Sequence, residues 1–173
     1  IVGVGVAVPA LVAAGDATIR WAPHLVWRDV DIAAPLASAL GVPVVVDNDA
    51  SLGARAEHLF GAAREHANVV YLNGGASGIG GGLILHGALI GGVGGFAGEW
   101  GQTRPGIADA ADRRTDGGVL EDEVNRARLL DAAGLESADD AALAAALAGT
   151  EDPTVRAELE RQRRILAAAL ANA

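Results

Sequence analysis

Cysteine, methionine and lysine are all absent from the 173 residues. Without cysteine the chain has no disulfide and no thiolate metal site. Every one of the 13 basic side chains is therefore arginine, and against 22 acidic residues the formal net charge is −9. Such a balance repels nucleic-acid phosphates and argues against direct DNA contact by this piece. Aromatics make up only 3% of the chain, so its core must pack small side chains closely, as helix-on-sheet layers do. No apolar run approaches the length of a membrane span. The first 14 residues are apolar enough to imitate a signal core, but they lack a basic flank, and their Val/Gly alternation suits a strand. With no Met at position 1, the chain is expected to be a piece of a longer product.

What is present is organised around Val44-Val45-Val46-Asp47-Asn48-Asp49-Ala50-Ser51. Three β-branched residues predict a buried strand, and the polar residues at its end include a cap for the helix that follows. Open α/β sheets place ligands at such strand ends. Asp47 reads as a turn residue, and Asn48 and Asp49 as site residues.

Around this stretch the patterning predicts alternating strands and helices. A strand buried on both faces is expected over 1–8, a turn at Gly15-Asp16, and an irregular segment over 18–27 packed on the sheet. Asp31 is expected to cap a helix ending at Gly41. After a strand over 42–46, a helix is expected over 49–60, burying Leu52, Ala56, Leu59 and Phe60, with Gly61 as a left-handed C-terminal residue. Strands over 69–72 and 79–85, a turn at His86-Gly87 and a return over 88–90 follow. Helices are expected over 119–133, 138–147 and 152–171, the last with a stripe of Val155, Leu159, Leu166 and Leu170. This is an α/β pattern with parallel pairing. The organisation predicted is one α/β lobe contributed by 1–63 and a second by 64–173, helical towards its end.

Two further segments carry polar chemistry. Residues 74–82 (GGASGIGGG) lie between two strands, where glycines let backbone approach a ligand and free N–H groups cradle a phosphate. They are neither a Walker loop nor a dinucleotide-binding fingerprint, because Lys is lacking and a strand follows instead of a helix. A tight hairpin accounts for the glycines equally well. Glu99, between Gly98 and Trp100, and Glu121, after Gly117-Gly118, are carboxylates of the kind that pair with sugar hydroxyls. Trp27 and Trp100 read as core residues, the four histidines show no metal spacing, and Arg113-Arg114 reads as a solvated pair.

Four segments in order, 4–9 (VGVAVP), 44–51 with Ala56-Glu57, 75–82, and 97–102 with Leu120-Glu121, resemble the ROK family of bacterial sugar kinases and sugar-responsive repressors. The resemblance covers about residues 1 to 126. It implies an actin-like, hexokinase-like (ribonuclease H-like) fold of two α/β lobes, here incomplete. It implies that Asn48, Asp49, Glu99 and Glu121 converge on one sugar site. Asp49 corresponds to the catalytic base of the kinases, and Gly75, Ser77, Gly78 and Gly80 belong to their phosphate-approach hairpin.

The departures from the family matter as much. The family's zinc-binding His corresponds to Gln102, which could still donate to a sugar hydroxyl. The positions of its three zinc-binding Cys hold Asp112, Arg114 and Val119, so no zinc is expected, and Asp109 and Asp112 read as solvated loop residues. The kinases' N-terminal Asp-Gly-Gly-Thr hairpin is missing, and Asp116-Gly117-Gly118 only imitates it. The adenosine site that would follow the last helix is missing too, so ATP and Mg are expected only if the full-length protein is a kinase. The wording of the motifs is closer to the regulator branch. The expectation is a cytoplasmic sugar-binding effector domain, homo-oligomeric as a dimer, with DNA bound through a domain absent from this chain and no membrane partner. The alternative is a fragment of an ATP-dependent, glucokinase-like sugar kinase, and a third reading is a scaffold that binds nothing.

Overall fold

In a computed structural model, which describes residues 1–75, 78–107, 110–115, 118–137 and 139–172, β1 (Val4–Val8) pairs in parallel with β5 (Val44–Asn48), Val4 opposite Val44 and Val8 opposite Asn48. Parallel strands need a long crossover. Here it holds an antiparallel sheet, β2 (Leu11–Val12), β3 (Ile19–Ala22) and β4 (Trp27–Val30), and the helix α1 (Ala33–Leu40). The core lies between these layers, with Val8, Ala10, Val12, Ile19, Ala22 and Val46 buried and Trp27 packed against them.

Two expectations are corrected here. β1 is covered on one face only: Val8 is buried while Gly5 and Ala7 are exposed, and Val45 on the paired strand is 66% exposed. Period-2 alternation puts valines on the covered side and the smallest residues on the other. The segment 18–27 is not irregular but builds β3 and the start of β4. Pro23 ends only β3, and Val26 in the left-handed region (φ 55°) closes the connection. Arg28 lies over the Trp21 ring, 4.5 Å from its centroid.

The Asp31 carboxylate accepts the N–H groups of Ala33 (2.8 Å) and Ala34 (3.2 Å), and Gly41 (φ 68°) ends α1. Helix α2 (Asp49–Phe60) has the expected limits but a different buried face. Ala50 and Ala54 point inward, while Leu59 is 52% and Phe60 81% exposed. The reason lies in the next sheet, β6 (Val69–Gly75), β7 (Gly78–Leu85) and β8 (Ala88–Leu89), in that order. A Cβ built on Gly80 would lie 2.8 Å from the Ala50 Cβ, and one on Gly82 2.6 Å from the Ala54 Cβ. The helix thus comes so near the strand that only alanine fits beneath it. Gly61 is extended (φ −103°), not left-handed, because the Glu57 carboxylate takes the N–H of Ala62. His86 (φ 51°) and Gly87 (φ 78°) form the tight turn between β7 and β8.

By contacts the chain divides into two units, Ile1–Asn73 with Gly80–Trp100, and Gly74–Ile79 with Gly101–Ala173. The boundary expected after residue 63 falls inside the first. Helices α3 (Leu120–Glu123), α4 (Arg126–Ala132), α5 (Asp140–Leu147) and α6 (Pro153–Ala171) belong to the second. The single helix expected over 119–133 is broken, because Asn125 leaves the helical region and caps α4 by accepting the N–H of Arg128. Asp139 and Asp152 cap α5 and α6. No helix among the described residues is long and apolar enough to cross a membrane.

The leucine stripe expected on α6 is also corrected: Val155, Arg161, Gln162 and Ile165 are buried, and Leu170 is 47% exposed. Arg161 is only 1% exposed and all five of its N–H groups are used. Nε and Nη2 donate to the two Glu158 carboxylate oxygens (2.8 and 2.7 Å). Nη1 donates to Glu123 Oε2 (3.0 Å) and the Asp112 carbonyl (2.9 Å), and Nη2 to the Glu123 carbonyl (2.6 Å). The Glu123 carboxylate, also 1% exposed, accepts the peptide N–H groups of Arg114 and Thr115.

Two predictions follow from this packing. Gly82→Val should destabilise the protein by roughly 1–3 kcal/mol through overpacking against Ala54, read as a lowered denaturant midpoint; an unchanged midpoint would show that α2 can back away. Burial tends to raise the Glu158 pKa, but the hydrogen bonds from Arg161 and Gln162 outweigh it and hold the group below its ordinary 4.5. A carboxylate depressed in the folded state stabilises the fold above its unfolded pKa and loses that contribution as pH falls through the folded value. The melting temperature should therefore hold steady above about pH 5 and fall below it, and Glu158→Gln should flatten that acid limb.

Candidate functional site

In the first unit, β5 delivers Asn48 and Asp49 to the start of α2. Asn48 is the N-cap: its Oδ1 accepts the N–H of Ser51 (2.9 Å), and its Nδ2 donates to the Ala10 carbonyl (3.0 Å), 38 residues away. The amide thus pins the helix to the segment after β1, and its orientation is fixed before any ligand arrives. The neighbouring Asp49 side chain is exposed. Its Oδ1 accepts the N–H of Ala50 (2.9 Å), while no described residue bonds to its Oδ2. Asp47 accepts the N–H of Asn48 (2.8 Å), a local turn contact.

Glu99 is half-buried in the same unit and is already engaged in an interaction of its own. The glycines beside it and on β7 are there for packing. A Cβ on Gly81 would meet Trp100 Cδ1 and lie 2.9 Å from the Gly98 carbonyl, so Trp100 packs against bare backbone.

In the second unit the structure brings Gln102 and Glu121 together. Glu121 Oε1 accepts from Gln102 Nε2 (2.5 Å), and Oε2 accepts the N–H of Ile79 (3.3 Å). Gly78 stands at φ 128°, and a Cβ there would lie 2.6 Å from Glu121 Oε2. A Cβ on Gly101 would come within 2.8 Å of that same oxygen. The carboxylate is therefore seated in a recess of glycine backbone, held by two neutral donors and by no cation among the described residues. Carboxylates seated in this way accept ligand hydroxyls through their remaining lone pairs.

The glycine segment over 74–82 thus divides its work. Gly78 seats Glu121, Gly81 seats Trp100, and Gly80 and Gly82 seat α2. Gly75 ends β6, and Ser77 lies outside the described residues. The donor Ile79, the close approach of Gly101, the buried Arg161 and Glu123 and the partly buried Glu158 escaped the sequence reading. A backbone N–H leaves no trace in sequence, but an arginine on the inward side of α6, between Val155 and Ile165, was a signal.

The four positions that the family resemblance matches to zinc ligands, Gln102, Asp112, Arg114 and Val119, hold an amide, a carboxylate, a guanidinium and an alkyl group. Asp112 is not a free loop residue as expected: Arg164 grips both its oxygens (2.8 and 3.3 Å), and that hydrogen bonding holds its pKa below the ordinary 3.8. Arg114 donates to the Ala111 carbonyl (2.7 Å) and Arg113 to the Ile107 carbonyl (3.1 Å), so this pair is tied to its loop and not merely solvated. The Val119 N–H goes to Asp122 (3.0 Å). Such a donor set does not fit zinc, which takes thiolate, imidazole and unpaired carboxylate. Among the described residues no three His, Asp or Glu side chains gather to hold a metal ion. Asp109, Asp116 and Gly117 lie outside the described residues.

The xylose repressor of Bacillus subtilis (strain 168) is 40% identical over 101 residues, 58% of this chain and 26% of the repressor. A ROK family transcriptional regulator, a homologue of the E. coli MLC protein, superposes with a TM-score of 0.82 at 25% identity, covering 98% of this chain and 46% of the regulator. A ROK family glucokinase from Streptomyces griseus, solved with glucose and AMPPNP, superposes with a TM-score of 0.76 at 27% identity, covering 99% of this chain and 61% of the kinase. The relatives thus include both repressors and sugar kinases, and the fold is the actin-like, hexokinase-like α/β fold they share. The chain spans only about a quarter to a third of the curated relatives it matches. The model of the ROK family matches residues 1–124, most of the sequence, and the chain belongs to that family.

Proposed function

We propose that this chain is part of the sugar-binding effector region of a ROK family transcriptional regulator. The observation that carries the reading is the Glu121 carboxylate, held in a glycine recess by Ile79 N–H and Gln102 with no cation among the described residues. A carboxylate so placed accepts hydroxyl protons and rejects analogues that lack them. Asp49, exposed with one oxygen unpartnered among the described residues, offers a second acceptor. Glu99 and Gln102 are further sugar contacts in this reading. The xylose repressor relative supports it, and it makes the ligand a neutral pentose or hexose. Sugar binding would act by favouring one conformation of the full-length repressor over another. DNA contact belongs to a separate domain, the working form is a homodimer in the cytoplasm, and neither ATP nor zinc is a cofactor.

The glucokinase relatives favour a second reading. In it Asp49 is the general base that takes the proton from the attacking sugar hydroxyl, and ATP and Mg are cofactors of the full-length protein. Titration calorimetry on the full-length protein with xylose, glucose and N-acetylated hexoses tests the first reading, and heat should appear for at least one sugar. Asp49→Asn should weaken that binding about 10- to 100-fold and leave the melting temperature unchanged. A lowered melting temperature with unchanged affinity would make Asp49 a structural residue, and no heat with any sugar would sink the reading. Sugar-dependent consumption of ATP, abolished by Asp49→Asn, would replace it with the kinase.

A further inference from the structure

We propose that the buried Arg161–Glu123 pair does in this chain what a bound metal would do for the same loop: it ties residues 112–115 to α3 and thereby positions Glu121. Helix α3 is four residues long, a single turn that cannot hold itself in water. It must be fixed from outside at several points. Leu120 is 1% exposed, and its N–H reaches the Thr103 carbonyl (2.8 Å). Glu121 turns to Ile79 and Gln102. Glu123 turns the other way, to Arg161 and to the peptide N–H groups of Arg114 and Thr115.

The arginine completes the arrangement by reaching both sides of the loop. One Nη1 donates to Glu123 and to the carbonyl of Asp112, the residue whose carboxylate Arg164 grips from the same helix. The charged groups facing Arg161 are Glu123 from α3 and Glu158 from its own helix. Glu123 is buried and Glu158 partly so, and neither has a second cation within ion-pair distance among the described residues. Removing the guanidinium would leave the buried Glu123 and the partly buried Glu158 carboxylates without their cation, and the loop carbonyl of Asp112 would lose its donor. A bidentate fork with five donors joins several points at fixed angles, which is also what a tetrahedral metal does for its ligands. A lysine, with three donors on a flexible stem, cannot reproduce it.

The tie between the loop and α3 rests on geometry alone, and its effect on ligand binding rests on the reading of Glu121 as a sugar acceptor. The full-length protein is compared with its Arg161→Met and Arg161→Lys variants. Dialysis against EDTA, or addition of zinc, should leave the wild-type melting temperature unchanged. Arg161→Met should lower it by roughly 10 °C, and if that variant fails to fold, Arg161→Lys carries the test. In the folded Lys variant, amide hydrogen exchange at Arg114 and Thr115 and at Ile79 should accelerate about tenfold. Sugar affinity should fall by a similar factor.

Stoichiometric zinc retained through gel filtration with a raised melting temperature would overturn the proposal. So would unchanged exchange at Ile79 in the Lys variant, which would confine Arg161 to the loop. If the wild type binds no sugar, the effector reading fails while the exchange data still decide the role of Arg161.

Discussion

One guanidinium with every donor satisfied holds the second unit together. Arg161 sits among two carboxylates and two main-chain carbonyls, with almost no contact with water. Taking a charge out of water is costly unless pairing and hydrogen bonds compensate fully. Here they do, and the compensation comes from α3, from α6 and from the loop before α3. None of these can shift without leaving a buried charge exposed to a missing partner. An apolar core of equal volume would give stability of the same order, but it would not fix the loop's direction. The polar cluster specifies geometry more than it adds stability.

The first unit solves a different problem by a different means. With few aromatics to fill space, it brings backbones together. Ala50 and Ala54 lie on the glycines of β7, and the Trp100 ring lies on Gly81. Close approach of this kind gives dense packing with small side chains, and it leaves the larger residues Leu59 and Phe60 outside. The same closeness fixes where α2 begins. The Asn48 cap bonds across to Ala10, so the strand end, the helix start and the segment after β1 form one rigid corner. Asp49 stands on that corner.

How much of this the sequence discloses depends on where the information sits. Local signals read true: Asp31 and Gly41 bracket α1, Asp49 opens α2, and Asp152-Pro153 opens α6. These depend on capping chemistry within a few residues. Readings that needed to know what lies opposite were the ones that failed. The leucine stripe on α6 gave way to Arg161 because hydropathy turns every arginine outward, and Glu123, 38 residues away, together with Glu158 on the same helix, turns it in. The face of α2 reversed because the glycines that admit alanine are on another strand. At the site, the adjacency of Asn48 and Asp49 was written in the chain. The seat of Glu121 was not, since its partner at Ile79 is a main-chain N–H 42 residues away.

Charge placement bears on what kind of ligand these acceptors suit. From Glu65 through Thr103 the sequence contains no arginine or lysine, and that stretch includes the whole glycine segment. Phosphoryl transfer requires positive charge at the developing transition state, so a phosphate arriving there would meet backbone amides and would depend on cations from elsewhere. Glu121 points the same way: a carboxylate whose described partners are an amide and a peptide N–H offers acceptors, and no described cation, to a phosphate. A neutral polyol has the opposite relation to it, because each hydroxyl brings a proton to a group with lone pairs to spare. Under the proposed reading the seat around Glu121 suits an uncharged, hydroxyl-rich molecule, and this holds for a sensor or for the sugar half of a kinase.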